Sequence, residues 1–292
     1  MRIEGERESE NVEDQRGMMG GRGGLVAGGG VGTLIIALLI YFLGGDPRAV
    51  MGPNAGGGGG APSGQVAPPP NKETEGKLVQ FVRVVLADTE DVWSQQLPKQ
   101  AGRQYRNPHL VLFTSRVQSA CGMASAASGP FYCPGDEKVY IDLAFYNELT
   151  QRFKAPGDFA EAYVIAHEVG HHVQKILGTT DKVDSMRGRL SKEEYNKLSV
   201  RLELQADFYA GVWAHHAQQM KNILEPGDID EALNAARAVG DDNIQKQTQG
   251  YVVPDSFTHG SSQQRIAWFK KGFQTGDIKQ GDTFNAPDLN NP

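Results

Sequence analysis

The chain has 292 residues, 39% hydrophobic and 22% charged, with a formal net charge of −6. That is enough apolar surface for a core, so a wholly disordered chain is excluded. An acidic chain without a Lys/Arg block gives no electrostatic support to a nucleic-acid partner. A single long apolar run excludes a many-span transporter, and two cysteines are too few for a disulfide scaffold or a four-cysteine zinc site.

Residues 1–23 mix Arg2, Arg7, Arg16 and Arg22 with Glu4, Glu6, Glu8, Glu10, Glu13 and Asp14. So polar a segment cannot build a core, which predicts a disordered tail. Residues 24–43 carry no charge over about 20 positions, the length a hydrocarbon layer requires. Tyr41 and Phe42 near one end suit an interface. Four arginines precede this run and only Arg48 follows it before Lys72. The positive-inside rule therefore predicts an uncleaved single-pass anchor in the inner (cytoplasmic) membrane, with the N-terminus in the cytoplasm and the remainder outside. Residues 44–71, rich in Gly and Pro, read as a flexible linker. This leaves 72–292 as one soluble domain.

Within that domain, apolar residues recur every three or four positions from Leu78 to Trp93, the period of an amphipathic helix over 75–97. His109 to Thr114 reads as a buried strand, and Phe131 to Leu143 as a hairpin turning at Pro134-Gly135-Asp136. A helix is predicted over 159–177, stopped by Gly178. Ser191 with Glu194 forms a capping box opening a long helix to about Gln219, another helix covers 228–239, and Ser261 with Gln264 caps a last one. Helices outnumber strands, so the expected class is α+β, mostly helical with a small sheet.

The helix over 159–177 contains His167-Glu-Val-Gly-His171. Histidines four apart on a helix lie one turn apart on one face, so both imidazoles can meet one Zn²⁺. Glu168 is rotated about 100° from His167 and can stand beside a metal-bound water without ligating the metal. A third histidine at the usual downstream spacing is missing, because Gln174 and Leu177 occupy those positions. The long capped helix offers Glu203-Leu-Gln-Ala-Asp207 instead, two carboxylates on one face. Leu202, Leu204, Ala206, Phe208 and Ala210 make that stretch apolar, and a carboxylate buried there needs a partner. Glu203 is assigned to the metal, and Asp207 to the second nitrogen of a ligand histidine.

His167-Glu-Val-Gly-His-His172, Glu203 to Gly211, Gly129 to Pro134 and Val139 to Asp142 together resemble the bacterial "putative neutral zinc metallopeptidase" family of the YpfJ type, and more distantly the gluzincins. The resemblance runs from about Lys77 to Phe273, with the N-terminal anchor. It implies a zincin-like fold and one Zn²⁺ serving hydrolysis of peptide bonds in a peptide or protein substrate. His259, just before the last helix, is the candidate donor for the developing oxyanion, with Tyr251 a weaker rival.

His172 is read as structural, and His215 and His216 as lying on a solvated face. Outside the cytoplasm Cys121 and Cys133 should form a disulfide worth about 3 kcal/mol; inside it they should remain thiols. The hairpin strand Val139–Asp142 is expected to be an edge to which substrate could add. Two function classes follow: a membrane-anchored zinc peptidase with Glu168 as general base, or a non-catalytic zinc-binding envelope protein acting as a scaffold or partner-binding module. A zinc amidase acting on peptidoglycan stems is a third.

Overall fold

The computed structural model describes residues 1–17 and 72–292; the proposed membrane span and linker lie outside the described residues. Among those described, no helix is long and apolar enough to cross a membrane.

Helix α1 (Lys72–Ala101) buries the predicted stripe, with Val82, Val85, Leu86, Val92, Trp93 and Leu97 all within the core. Strand β2 (His109–Phe113) follows, and its run Leu110–Phe113 is buried throughout, as a strand covered on both faces requires. Its sheet has the order β1-β2-β6-β5. β1 (Val12–Asp14) and β6 (Lys138–Asp142) flank β2 in parallel, and β5 (Phe131–Cys133) closes the order antiparallel to β6. A separate hairpin pairs β3 (Arg116–Ser119) with β4 (Gly122–Ser125), and a short helix α2 (Ala144–Gln151) leaves the sheet. The Cys121–Cys133 disulfide ties the end of the β3–β4 hairpin to β5.

The predicted hairpin is present, but its edge is the other strand. β6 has neighbours on both sides, because Val139, Tyr140 and Ile141 are apolar and buried in succession; the outer position falls to β5.

The helical part comprises α3 (Asp158–Leu177), α4 (Thr179–Asp184), α5 (Lys192–Lys221), α6 (Asp228–Ala238), α7 (Asp241–Gln249) and α8 (Ser262–Thr275). The punctuation read from the sequence operates as expected. Gly178 takes a left-handed conformation (φ 79°) to end α3, and capping boxes at Ser191/Glu194 and Ser261/Gln264 open α5 and α8. α3 lies against α5, and α5 against α8, through Phe159 stacked on Trp213, Tyr163 edge-on to Phe269 and Phe208 edge-on to Trp268. A Cβ on Gly170 would sit 2.9 Å from the Ala206 carbonyl oxygen, so α3 and α5 approach too closely for any side chain there. Gly272 plays the same part between α8 and the Phe208 carbonyl.

The expected disordered tail is not what the structure shows for residues 1–17. Val12, Glu13 and Asp14 pair with Leu110, Val111 and Leu112. The charges that suggested solvation have distant partners. Arg7 bonds Glu90 and Asp91, Glu90 also accepts from Ser9 and Asn11, and Glu13 accepts from Lys138. The Met1 amine lies 2.6 Å from Asp158. Because β1 shares a sheet with β2, residues 1–17 and 72–292 stand on the same side of any bilayer, and the arrangement with one inside and the other outside is not that of this fold. Glu10 and Asn290 are exposed. Cysteines placed at the two positions should react with a membrane-impermeant thiol reagent in intact cells either both or not at all. Labelling of one alone, with both reactive after lysis, would contradict the shared sheet.

Candidate metal centre

α3 and α5 converge on three side chains. Ligand atoms of His167, His171 and Glu203 lie within 4.8 Å of one another. Nε2 of His167 is 3.2 Å from one Glu203 carboxylate oxygen, and Nε2 of His171 is 3.5 Å from the other. One turn of α3 separates the histidines, and the close passage at Gly170 brings Glu203 opposite them. Two imidazole nitrogens and a carboxylate are a donor set that fits Zn²⁺ with further positions left open. A second carboxylate group, Asp158, Asp228 and Glu231, has no histidine and faces the Met1 amine.

The far nitrogen of each histidine is also engaged. His167 Nδ1 lies 2.9 Å from Asp207 Oδ1. Asp207 is completely buried and accepts from the Tyr163 hydroxyl and from both Nε and Nη2 of Arg265 (2.8 and 2.9 Å). Burial opposes the charge of Asp207, yet Arg265 and His167 hold its pKa down at about 2. Burial likewise works against a charged His167, but Asp207 and Glu203 lift it to about 9 in the side-chain cluster alone. Glu203, against its burial, is kept well below the usual carboxylate range by His171, His259 and His167. Glu168 is buried beside this cluster, and burial raises its pKa while the two histidines pull it down. His171 Nδ1 lies 2.8 Å from Gln174 Oε1.

His259 is placed by Asp241. One carboxylate oxygen accepts from the backbone N–H of Thr258, His259 and Gly260, and the other lies 3.2 Å from His259 Nδ1. Burial lowers the His259 pKa, but Asp241 and Glu203 overcome it and the net shift is upward. Tyr251 is 63% exposed on the surface.

His172 is fully buried. Its Nε2 donates to the Arg106 carbonyl, so Nδ1 accepts from the Tyr132 hydroxyl of β5. Burial lowers its pKa to about 4, consistent with a neutral ring. His215 and His216 are not on a solvated face. They are half-buried and bond the Phe273 and Gly276 carbonyls at the end of α8.

Tyr163, Gln174, Gln205 and Asp241 were given no role at the site from the sequence. Tyr163 precedes His167 by one turn, and Gln174 follows His171 by three residues, so helical spacing carried a signal for both. Arg265 closes the segment from Phe257, whose His-to-Arg run resembles one in some gluzincins, but nothing local pointed to its pairing with Asp207. Asp241 carried no local signal.

The two carboxylates on α5 should separate by experiment. Asp207→Ala leaves Arg265 charged and buried without its counter-ion, and should cost about 3–5 kcal/mol in chemical unfolding of the metal-free protein. Glu203→Ala should cost less stability and more zinc affinity. The opposite ranking would exchange their roles.

A profile of the family described as "Putative neutral zinc metallopeptidase" matches residues 1–284. The "Uncharacterized protein YpfJ" of Escherichia coli K12 is 49% identical over 291 residues, covering 97% of this chain and 99% of that protein. The "Uncharacterized protein Rv2575" of Mycobacterium tuberculosis H37Rv is 47% identical over 208 residues, 68% of each chain. No solved structure matches. The chain belongs to the family described as putative neutral zinc metallopeptidases.

Proposed function

We propose that this chain is a zinc-dependent peptidase that hydrolyses peptide bonds with Glu168 as general base. The observation that carries the reading is Glu168 itself, an acid buried beside a two-histidine, one-carboxylate group. A structural zinc site normally closes with four protein ligands and has no use for such a residue. When bound at His167, His171 and Glu203, zinc would polarise the substrate carbonyl and make an attacking water more acidic.

The remaining work falls to the chain. Glu168 accepts a proton as the water oxygen bonds to the carbonyl carbon. It then delivers that proton to the amine nitrogen as the C–N bond breaks. Burial raises its pKa, which makes the protonated form easier to reach and so favours taking up the proton. His259, fixed by Asp241, donates a hydrogen bond to the carbonyl oxygen as negative charge develops there. β5 ends the sheet order, and a peptide in extended form can pair with its outer edge through main-chain hydrogen bonds. His172 and the disulfide at Cys133 fasten that strand.

The disulfide supports an oxidising compartment outside the cytoplasm. Attachment to a membrane through residues 24–43 belongs to the proposal on their sequence alone, with both flanking segments on one side of the bilayer.

Digestion of an unbiased peptide library by the purified chain, followed by mass spectrometry, tests the reading. Wild type should cleave, and chelation should stop it. Glu168→Gln should retain zinc while cleaving about 10²–10⁴-fold more slowly. No cleavage by the zinc-loaded wild type would favour the scaffold reading, and undiminished cleavage by Glu168→Gln would remove Glu168 from the role of base. The pH profile supplies a second check. With Nδ1–H directed at Asp241, the other ring nitrogen of His259 carries a hydrogen only when the ring is protonated, so activity should fall as pH rises through its raised pKa. Asp241→Asn removes the main upward influence and should move the alkaline limb of kcat/KM to lower pH. An unmoved limb would remove His259 from this role.

A further inference from the structure

His167 and His171 are held by different chemistry, a carboxylate for the first and a neutral amide for the second. We infer that Gln174 is a positioning residue that fixes which ring nitrogen of His171 faces the metal, and that Gln205 and the C-terminal segment lock Gln174 in that role. The inference rests on the zinc centre proposed above.

The argument runs outward from His171. Gln174 is completely buried, and its side-chain NH₂ faces two oxygens, the Leu202 carbonyl at 2.6 Å and Gln205 Oε1 at 3.2 Å. A backbone carbonyl can only accept. Rotating the amide by half a turn would set oxygen against oxygen, so the NH₂ stays on that side and Oε1 is committed to His171. Gln205 is committed in the same manner. Its Nε2 donates to the Gly281 carbonyl at 2.7 Å, which turns its own Oε1 towards Gln174.

An acceptor at 2.8 Å requires Nδ1 of His171 to carry the hydrogen. In a neutral imidazole the lone pair is then on Nε2, the nitrogen that faces Glu203. Two carbonyls of fixed role, at Leu202 and Gly281, thus decide the tautomer of a ligand through two side-chain amides. Gly281 lies in a segment that α5 itself holds down. Arg201 bonds the Thr283 and Phe284 carbonyls, and Thr283 Oγ1 donates to the Arg201 carbonyl at 2.6 Å. The last residues of the domain therefore bear on the metal centre without touching it.

Because the partner is uncharged, it orients His171 without adding a third carboxylate to a centre that already contains Glu203 and Asp207. That distinguishes the amide relay from a merely structural hydrogen bond. Its loss should alter the tautomer and the metal affinity in a residue-specific order.

The test uses the full chain, zinc competition against a chromophoric chelator, and ¹⁵N-histidine NMR of the metal-free protein. Wild type should show His171 as the Nδ1–H form. Gln174→Leu should weaken zinc by about 10–100-fold and bring in the Nε2–H form. Gln205→Leu should weaken zinc less, and the double variant should be no worse than Gln174→Leu alone, since one acts through the other. A folded Gln174→Leu with unchanged zinc affinity and tautomer would overturn the inference, as would losses that multiply in the double variant. If Gln174→Leu does not fold, Gln205→Leu decides, by the appearance or absence of the Nε2–H form. Failure of wild type to bind zinc would sink the proposed function instead, while the tautomer measurement would still judge the relay.

Discussion

The whole site depends on how closely two helices pass. α3 brings two histidines, α5 brings two carboxylates, and the four meet only because Gly170 lets the α3 backbone lie against the Ala206 carbonyl. A methyl group at that point would push the helices apart and open the gap between Nε2 of each histidine and Glu203. The same contact sets His167 against Asp207, one turn further along α5. Gly272 repeats the device where α8 meets α5, and so brings Arg265 within reach of Asp207. Three helices are thereby fixed relative to one another by backbone approach, and the polar side chains are aimed by that frame.

Burying so many ionisable groups together is costly unless each is compensated. Asp207 is neutralised by Arg265 and bonded by Tyr163 and His167, and Glu203 faces two imidazoles. Asp241 has its carboxylate filled by three backbone N–H groups before it touches His259. Glu168 differs. It is buried beside the same histidines with its pKa pushed upward rather than down, as suits a group that must exchange a proton rather than hold a charge.

Much of this was legible before any coordinates. The helix with the two histidines, its glycine stop, both capping boxes and the carboxylate pair on the long helix are local patterns, and period and punctuation report them directly. What escaped detection is long-range. β1 is three residues long, its pairing depends on a strand about a hundred residues later, and its neighbouring charges look solvated until Glu90 and Lys138 are placed beside them. α7 has few apolar residues to give it a period. The edge strand was assigned to Val139–Asp142 because a hairpin does not announce which of its strands will find a second neighbour. Arg265 and Asp241 act on groups distant in sequence, so no spacing pointed to them. Gln174 was noticed only as a residue standing where a Gly-x-x-His continuation would have its glycine, although its side chain bonds His171.

The central claim is that one zinc ion is held by His167, His171 and Glu203. X-ray absorption at the zinc edge on the purified chain, with His171→Ala alongside, tests it most directly. The account predicts one zinc per chain, two imidazole nitrogens at about 2.0–2.1 Å and a carboxylate oxygen at about 2.0–2.2 Å. The imidazole contribution should be diminished, or the zinc lost, in the variant. A sulfur-ligated zinc, or a spectrum unchanged by His171→Ala, would contradict it.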